Sequence, residues 1–357
     1  MILNFLGSGS AFNVEEGNNS AYIKINDKLL LLDCGESILK EYRKGVNEMK
    51  YLIIGAGGTG GCIGAYMAEA GKDVTLIARG KHLESIQKSG LKVETTWKGN
   101  YTVSQVIAYD MEHYHEQPDV IFVCVKGYSL EDTVPFIKRV AHKNTVVIPI
   151  LNIYGTGGKL QKMLPKLLVT DGCIYVSANI KEPGTLLMHG EIFKIVYGIR
   201  NKSEYKPILK QIEQDLKESN ILGILSDDIR RDALQKFSYV SAMAACGLYY
   251  DAEAAPMQKP GEIRDTFVAL TREIDALAVA MGIYFTADIV QINLEILDKL
   301  DPTASTSMQR DIAQGKNSEL DGLIFEVVRM GEKYGVPVKM YKKITKKFSN
   351  LLNLERK

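Results

Sequence analysis

The segment Gly55-Ala56-Gly57-Gly58-Thr59-Gly60 most restricts what this chain can fold into. It fits G-x-G-x-x-G, a pattern of little weight by itself. Here it follows an apolar run, Tyr51–Ile54, and opens a stretch with Ile63, Met67 and Ala70 on one helical side. Strand, glycine turn and helix form the setting in which the pattern holds a dinucleotide. Gly55 permits the tight turn, Gly57 lets the backbone approach a pyrophosphate, and Gly60 lets the helix pack close to the strand. The helix start, with Ala56, Gly58 and Thr59 beside the glycines, offers unpaired N–H groups and positive potential to the phosphates. A purely structural turn is the weaker reading in this context.

The pattern continues beyond the turn. Gly71 closes the helix, and Asp73–Ala78 reads as a second strand. Asp119–Val125 and Thr145–Ile150 are near-continuous apolar runs, as parallel strands buried on both faces require. Leu130–Ala141 is the helix between them, and the alternation argues a doubly wound parallel sheet. Short strands Thr185–Met188 and Phe193–Tyr197 and a helix Tyr205–Glu218 complete a Rossmann domain over residues 49–226.

A different texture lies on each side. From residue 227 to 357 the chain reads as all-helical. Asp228–Tyr249, Ile263–Met281, Ala287–Leu300, Ser318–Tyr334 and Val338–Leu352 each carry a 3.6-residue period. Lys342, Lys343, Lys346 and Lys347 on the last of these read as a solvated face, and a nucleic-acid patch is the weaker reading. Residues 1–48 read as a β-rich extension, with Ile2–Leu6, Ser20–Ile25 and Lys28–Leu32 as strands and a charged helical stretch from Glu36 to Glu48. The expected architecture is an α/β Rossmann domain followed by an all-α domain, behind a short β-rich N-terminal extension.

Bulk properties exclude some partners. With 357 residues and 46% hydrophobic content, the chain can fill two sizeable cores. A formal net charge of +1 supplies no global field for nucleic acid or anionic membrane. No apolar run reaches the roughly 20 residues that span a bilayer, and the N-terminus lacks a secretory pattern. Cys34, Cys62, Cys124, Cys173 and Cys246 are scattered and without C-x-x-C spacing, as expected for free thiols in a cytoplasmic protein.

The end of the second strand discriminates between cofactors. An NAD site places Asp or Glu there to accept from the ribose 2′-hydroxyl. This chain has Ala78-Arg79-Gly80. A guanidinium cannot accept that bond but pairs with a 2′-phosphate, so NADP(H) is the expected cofactor. A solvated surface arginine is the alternative.

Two residues fall at strand ends, where open parallel sheets bind ligands: Lys126 in Val123-Cys124-Val125-Lys126-Gly127, and Asn152 in Pro149-Ile150-Leu151-Asn152. Each can equally satisfy a loop. Lys236 shares a helix face with Ala233, Val240, Met243 and Ala244. Burying an ammonium is costly, so it either snorkels to the surface or faces an interdomain cleft as a general acid. Glu319 starts a predicted helix, where an acid favours the dipole. Ser307 in Ser305-Thr306-Ser307-Met308 reads as readily as a helix cap.

Taken in order, these pieces resemble the ketopantoate reductase family (2-dehydropantoate 2-reductase). The resemblance covers residue 49 to the end. It rests on the glycine turn with Arg79, Lys126 in VCVKGYS, Asn152 in PILN, Lys236 in ALQKFSYV, and STSMQRDIAQGKNSELD with Ser307 and Glu319. The resemblance implies reduction of a small 2-oxo acid by NADPH between a Rossmann and a helical domain. Lys236 would protonate the carbonyl oxygen, and Glu319 would orient the network and contact the cofactor. Asn152 and Ser307 would hold substrate, Asn152 also near the nicotinamide, with Lys126 and Ala178 beside the cofactor. A homodimer is a possible assembly.

Two departures bear on the substrate. The family usually carries asparagines four and eight residues after the lysine, where this chain has Val240 and Ala244. After Asn152 stands Ile153-Tyr154-Gly155 instead of an Asn-Gly step. The reaction type is therefore firmer than the identity of the oxo acid. A non-catalytic nucleotide-binding or redox-sensing protein is the competing reading; it would need neither Lys236 nor Glu319. The pieces NFLGSGSAF, GNNSAYI and LLLLDCGESI resemble the opening strands of a metallo-β-lactamase-type hydrolase. That fold's H-x-H-x-D-H motif does not follow them. His113-Tyr114-His115 precedes a Rossmann strand with no further histidine nearby and reads as a surface loop, so no metal site is expected. Met49 stands ahead of a strand as a start would, so residues 1–48 read as a fused fragment or an extended gene start.

Overall fold

Four residues suffice for the central strand, because Tyr51–Ile54 is apolar throughout and every side chain is buried. The computed structural model describes residues 49–355 in full and residues 2–7, 20–25 and 28–32 as backbone. The chain divides into two units, Met1–Met49 and Lys50–Lys357. In the first, strands β1 (Ile2–Gly7), β2 (Ser20–Ile25) and β3 (Lys28–Leu32) pair antiparallel in the order β1-β2-β3. The helical stretch expected at residues 36–48, and Cys34, lie outside the described residues.

The second unit begins with β4 (Tyr51–Ile54), α1 (Gly58–Glu69), β5 (Val74–Ile77) and α2 (Gly80–Ser89). Strands β6 (Leu91–Thr95), β7 (Gly99–Val103) and β8 (Ile107–Tyr109) follow. Then come β9 (Val120–Val123), α3 (Thr133–Val140), β10 (Val146–Pro149), α4 (Thr156–Met163) and β11 (Leu168–Val169). Six of these strands form one parallel sheet in the order β11-β10-β9-β4-β5-β8. Counted along this unit, that is the doubly wound order 3-2-1-4-5-6, with its switch point between β4 and β9. Every residue of β4, β5, β9 and β10 is buried, which explains their unbroken apolar runs.

A second sheet was not apparent in the sequence. Strand β12 (Asp171–Glu182) pairs antiparallel with β13 (Thr185–Gly198), β6 joins β13 in parallel, and β7 extends β6. After α5 (Ile208–Glu218), β14 (Leu222–Leu225) adds in parallel to β13. The two short strands expected at 185–188 and 193–197 are thus one long strand. Their apparent separation is a bulge: the register jumps from Ser177↔His189 to Tyr175↔Lys194. Gly190, at φ +74°, takes a left-handed conformation within the bulge.

The remainder is helical: α6 (Ile229–Tyr250), α7 (Ala254–Gln258), α8 (Glu262–Ala280), α9 (Ile289–Asp298), α10 (Ser307–Ala313), α11 (Glu326–Tyr334) and α12 (Lys339–Glu355). Helix α6 is capped by Asp228, whose carboxylate accepts from the Arg231 N–H at 3.2 Å. Its buried face carries Leu234 and Phe237, then Ala242, Ala244 and Ala245, small side chains that let α8 approach. Full burial of Leu234 or Phe237 is worth about 1.5–3 kcal/mol each. The helix expected at Ser318–Tyr334 contains a π-helical segment, Asp321–Phe325, ahead of α11. The four lysines of α12 are exposed, and Lys343 and Lys347 lie over the Tyr249 ring at 5.2 and 4.6 Å.

Candidate active site

The glycine turn leaves β4 beside the switch point, and its packing explains each glycine. Gly55 has φ +99°, and a Cβ there would stand 2.9 Å from the Cys124 carbonyl oxygen. A Cβ at Gly60 would stand 2.2 Å from the Gly55 carbonyl oxygen, so α1 rests on the strand. At Gly58 it would stand 2.3 Å from the Ala178 carbonyl oxygen, which brings β12 over the turn. Gly57 differs, because nothing lies within 4 Å of its Cβ position. The start of α1 has no side-chain cap and no acid in its first turn. An open glycine ahead of a helix end with unpaired N–H groups suits a pyrophosphate in space and in charge.

Arg79 directly precedes α2, beyond the end of β5, and is exposed; it makes no ion pair among the described residues.

Lys126 follows β9 at the other side of the switch point. Its ammonium lies 2.9 Å from Asp311 Oδ2 and 3.3 Å from Glu319 Oε2. The Gly127 N–H donates to Glu319 Oε1 at 3.2 Å. Burial opposes the charge on Lys126, but the Glu319 and Asp311 carboxylates outweigh it and hold its pKa above the ordinary lysine value. Glu319 itself is buried. Asp311 was not singled out from the sequence. Its only signal is its place in the stretch STSMQRDIAQGKNSELD.

Lys236 has the opposite setting. Its ammonium donates to Asn152 Oδ1 at 2.6 Å, so α6 meets the residue that follows β10 across the sheet edge. It has no carboxylate partner among the described residues. The ring of Tyr175 lies 5.7 Å away. Desolvation, only partly offset by Cys173 and Glu319, holds its pKa below the ordinary lysine value.

Ser307 is the first residue of α10 and is half-buried. The cap is Thr306, whose hydroxyl accepts from the Gln309 N–H at 3.2 Å. The capping alternative for Ser307 therefore falls to its neighbour, and the Ser307 hydroxyl makes no hydrogen bond among the described residues. Val240 is half-buried and Ala244 fully buried. The side chain of Ile153 reaches both Gly127 and Gly322, where added Cβ atoms would stand 2.1 and 2.3 Å from its Cδ1. Ile153 therefore wedges between the β9 loop and the π-helical segment.

His113 hydrogen-bonds Asp110, and His115 lies against Arg139. Among the described residues no group of three or more His, Cys, Asp or Glu side chains is placed to hold a metal ion. No helix among them is long and apolar enough to cross a membrane.

Residues 51–202 match the family model of ketopantoate reductase PanE/ApbA, and residues 228–351 match the model of its C-terminal domain. The chain belongs to the ketopantoate reductase family. Two curated relatives are similar over most of their length. One is an uncharacterized oxidoreductase, YkpB, of Bacillus subtilis, 26% identical over 77% of this chain and 89% of its own. The other is a 2-dehydropantoate 2-reductase of Pyrococcus horikoshii, 25% identical over 79% of this chain and 91% of its own. Among solved structures, a PanE/ApbA family ketopantoate reductase from Ralstonia eutropha superimposes with a TM-score of 0.78 at 24% identity, covering 87% of this chain and 100% of that one. A D-mandelate dehydrogenase solved with NADH and anilino(oxo)acetate superimposes with a TM-score of 0.75 at 20% identity, covering 87% and 100%. The architecture of the family is the one seen here, a Rossmann-like parallel sheet followed by an all-helical domain. Family membership makes the chain an oxidoreductase that uses NAD(P)H.

Proposed function

We propose that this enzyme reduces a small 2-oxo acid to the 2-hydroxy acid with NADPH, and that Lys236 is its general acid. The observation that carries the reading is the pairing of Lys236. Its ammonium reaches the sheet edge, is held by the neutral Asn152 amide at 2.6 Å, and has a depressed pKa. A cation held by carboxylates keeps its proton. One held by an amide in a desolvated site gives its proton up more readily.

The reduced nicotinamide would supply hydride to C2 of the oxo acid. The glycine turn and the first turn of α1 would hold the pyrophosphate, and Arg79 would pair with the 2′-phosphate. Lys126 and Ala178, on the loop after β9 and on β12, would flank the cofactor. Lys236 Nζ would donate its proton to the substrate's carbonyl oxygen, stabilising the developing alkoxide as it does so. Asn152 would orient that ammonium, and Asn152 and Ser307 would hold the substrate. Glu319 would fix Lys126 and the Gly127 amide on the cofactor side. In this assignment residues 49–226 bind the cofactor and residues 227–357 bring the proton donor. The free thiols Cys62, Cys124, Cys173 and Cys246 accord with the cytoplasmic location we propose.

The substrate reading has a default, 2-dehydropantoate, and a specific observation against it. Val240 and Ala244 follow Lys236 on α6 without a hydrogen-bonding side chain, and Ile153 wedges between Gly127 and Gly322. Such a surface grips a hydroxylated side chain poorly. The D-mandelate dehydrogenase that superimposes on this chain was solved with a different oxo acid, anilino(oxo)acetate, which supports a substrate other than the default. The test is NADPH consumption against a panel of 2-oxo acids that includes 2-dehydropantoate, with NADH run in parallel. Turnover of at least one, with a lower Michaelis constant for NADPH than for NADH, is expected. No turnover of any contradicts the reaction, and equal use of both cofactors contradicts the role of Arg79.

A further inference from the structure

His82, in the first turn of α2, is the one histidine in the described structure whose two ring nitrogens both meet backbone groups of other elements. Nε2 lies 2.8 Å from the carbonyl oxygen of Ala56, inside the glycine turn. The N–H of Gly184, in the turn joining β12 to β13, donates to Nδ1 at 3.0 Å. Because Nδ1 accepts, Nε2 must carry the ring proton and donate to Ala56. The imidazole is therefore neutral and in a single tautomer. Its half-buried position favours that form, since desolvation holds its pKa below the ordinary histidine value.

The carbonyl of Ala56 shares a peptide plane with the N–H of Gly57. In a trans peptide those two groups point in opposite directions, and the described chain contains no cis bond. Fixing the carbonyl on the His82 side therefore aims the Gly57 N–H away from it. Of the turn's glycines, Gly57 is the one whose Cβ position has nothing within 4 Å. The other end of Ala56 is also held, its N–H donating to the Ile77 carbonyl at 3.0 Å. Ala56 is thus held on both sides, its preceding peptide by β5 and its following peptide by His82, with Ala178 of β12 packed behind Gly58.

We propose that His82 is a positioning residue for the dinucleotide: it locks the Ala56–Gly57 peptide so that the Gly57 N–H faces the cofactor's pyrophosphate. The proposal rests on the glycine turn being the cofactor site. It assigns a function to a residue that never touches the cofactor. Only its effect on the turn matters, so a side chain that restores the donor to Ala56 restores the effect.

The test uses the purified full chain without substrate. NADPH fluorescence is titrated against wild type, His82→Ala and His82→Gln, and each protein's melting temperature is recorded without cofactor. The glutamine amide reaches the position of Nε2 and can donate to Ala56. His82→Ala is expected to weaken NADPH binding about three- to tenfold, as loss of one well-placed hydrogen bond does. His82→Gln recovers most of that loss, because its amide restores the donor to Ala56. Tight wild-type binding that His82→Ala leaves unaltered overturns the role of His82 alone. Equal losses in both variants, tracking equal falls in melting temperature, overturn it too, because the residue would then merely stabilise the fold. A wild type that binds neither NADPH nor NADH overturns the glycine-turn reading itself.

Discussion

Two lysines tie the sheet edge to the helical half, and they do so in opposite senses. Lys126 leaves the sheet edge and ends between two carboxylates of the helical half, Asp311 and Glu319. Lys236 leaves the helical half and ends on an amide of the sheet edge, Asn152. Both ammonium groups are partly desolvated, yet one pKa is raised and the other lowered. The partner decides the sign. A carboxylate stabilises the charged form by more than burial costs it, whereas a neutral amide does not. The lesson is that a lysine's place on a helix face says little about its chemistry until its partner is known. Lys126 is a fixed positive charge, and Lys236 holds its proton less tightly, as the proposed proton donor must.

The largest effect that bears on this contrast is removal of the donor. Lys236→Ala should lower kcat by about 10²- to 10⁴-fold, the usual span for a general acid. Its affinity for NADPH, read by fluorescence titration, should stay close to wild type. A comparable fall in kcat from Lys126→Ala, with cofactor affinity unchanged, would erase the distinction between the two.

Next comes pH. The proposed role requires Lys236 to be protonated, and its folded pKa lies below the ordinary lysine value. The kcat/KM profile should therefore fall as pH rises through that depressed value, by about tenfold per pH unit beyond it. Lys126, with its raised pKa, keeps its charge throughout that window.

A smaller effect concerns stability on the Lys126 side. Glu319→Ala strips a buried carboxylate from Lys126 and from the Gly127 N–H. Asp311 remains and Lys126 is partly exposed, so the cost should be about 2 kcal/mol, between that of an exposed pair and that of a fully buried one. Urea unfolding would measure it, and an unchanged midpoint would show that the pair is idle.

Smallest is the converse on the Lys236 side. A lysine whose folded pKa lies below its unfolded one costs stability at neutral pH, and that cost is relieved as pH rises towards the unfolded value. Lys236→Met should therefore raise stability by on the order of 1 kcal/mol while abolishing turnover. A destabilised Lys236→Met protein would mean that the bond to Asn152 outweighs desolvation.

Some of this was open to reading from the sequence. Strands β4, β5, β9 and β10 were visible because parallel strands covered on both faces need unbroken apolar runs. The second sheet was not. Strand β6 alternates buried Leu91, Val93 and Thr95 with half-buried Lys92 and Glu94, but its five residues follow directly on helix α2, whose pattern runs into them. The bulge opposite Val176 divided β13 into two apparent pieces, and the π-helical segment at Asp321–Phe325 is invisible to a 3.6-residue count.

The site shows the same limit. Lys126, Asn152, Lys236 and Glu319 could each be named from position, but not which of them would meet. Pairing across 84 and 193 positions of sequence depends on the tertiary fold. Asp311 lay unremarked in a stretch already quoted. His82 had no signal at all, because both its partners are backbone groups that no side-chain pattern records.

The most direct test of the proposed proton donor is a pH titration of the lysine side chains by NMR, using ¹³C-labelled lysine and the Lys126→Arg and Lys236→Arg proteins for assignment. The account predicts that Lys236 loses its proton below the ordinary lysine range while Lys126 holds its own above it. Lys236 titrating at or above the value of Lys126 would contradict it.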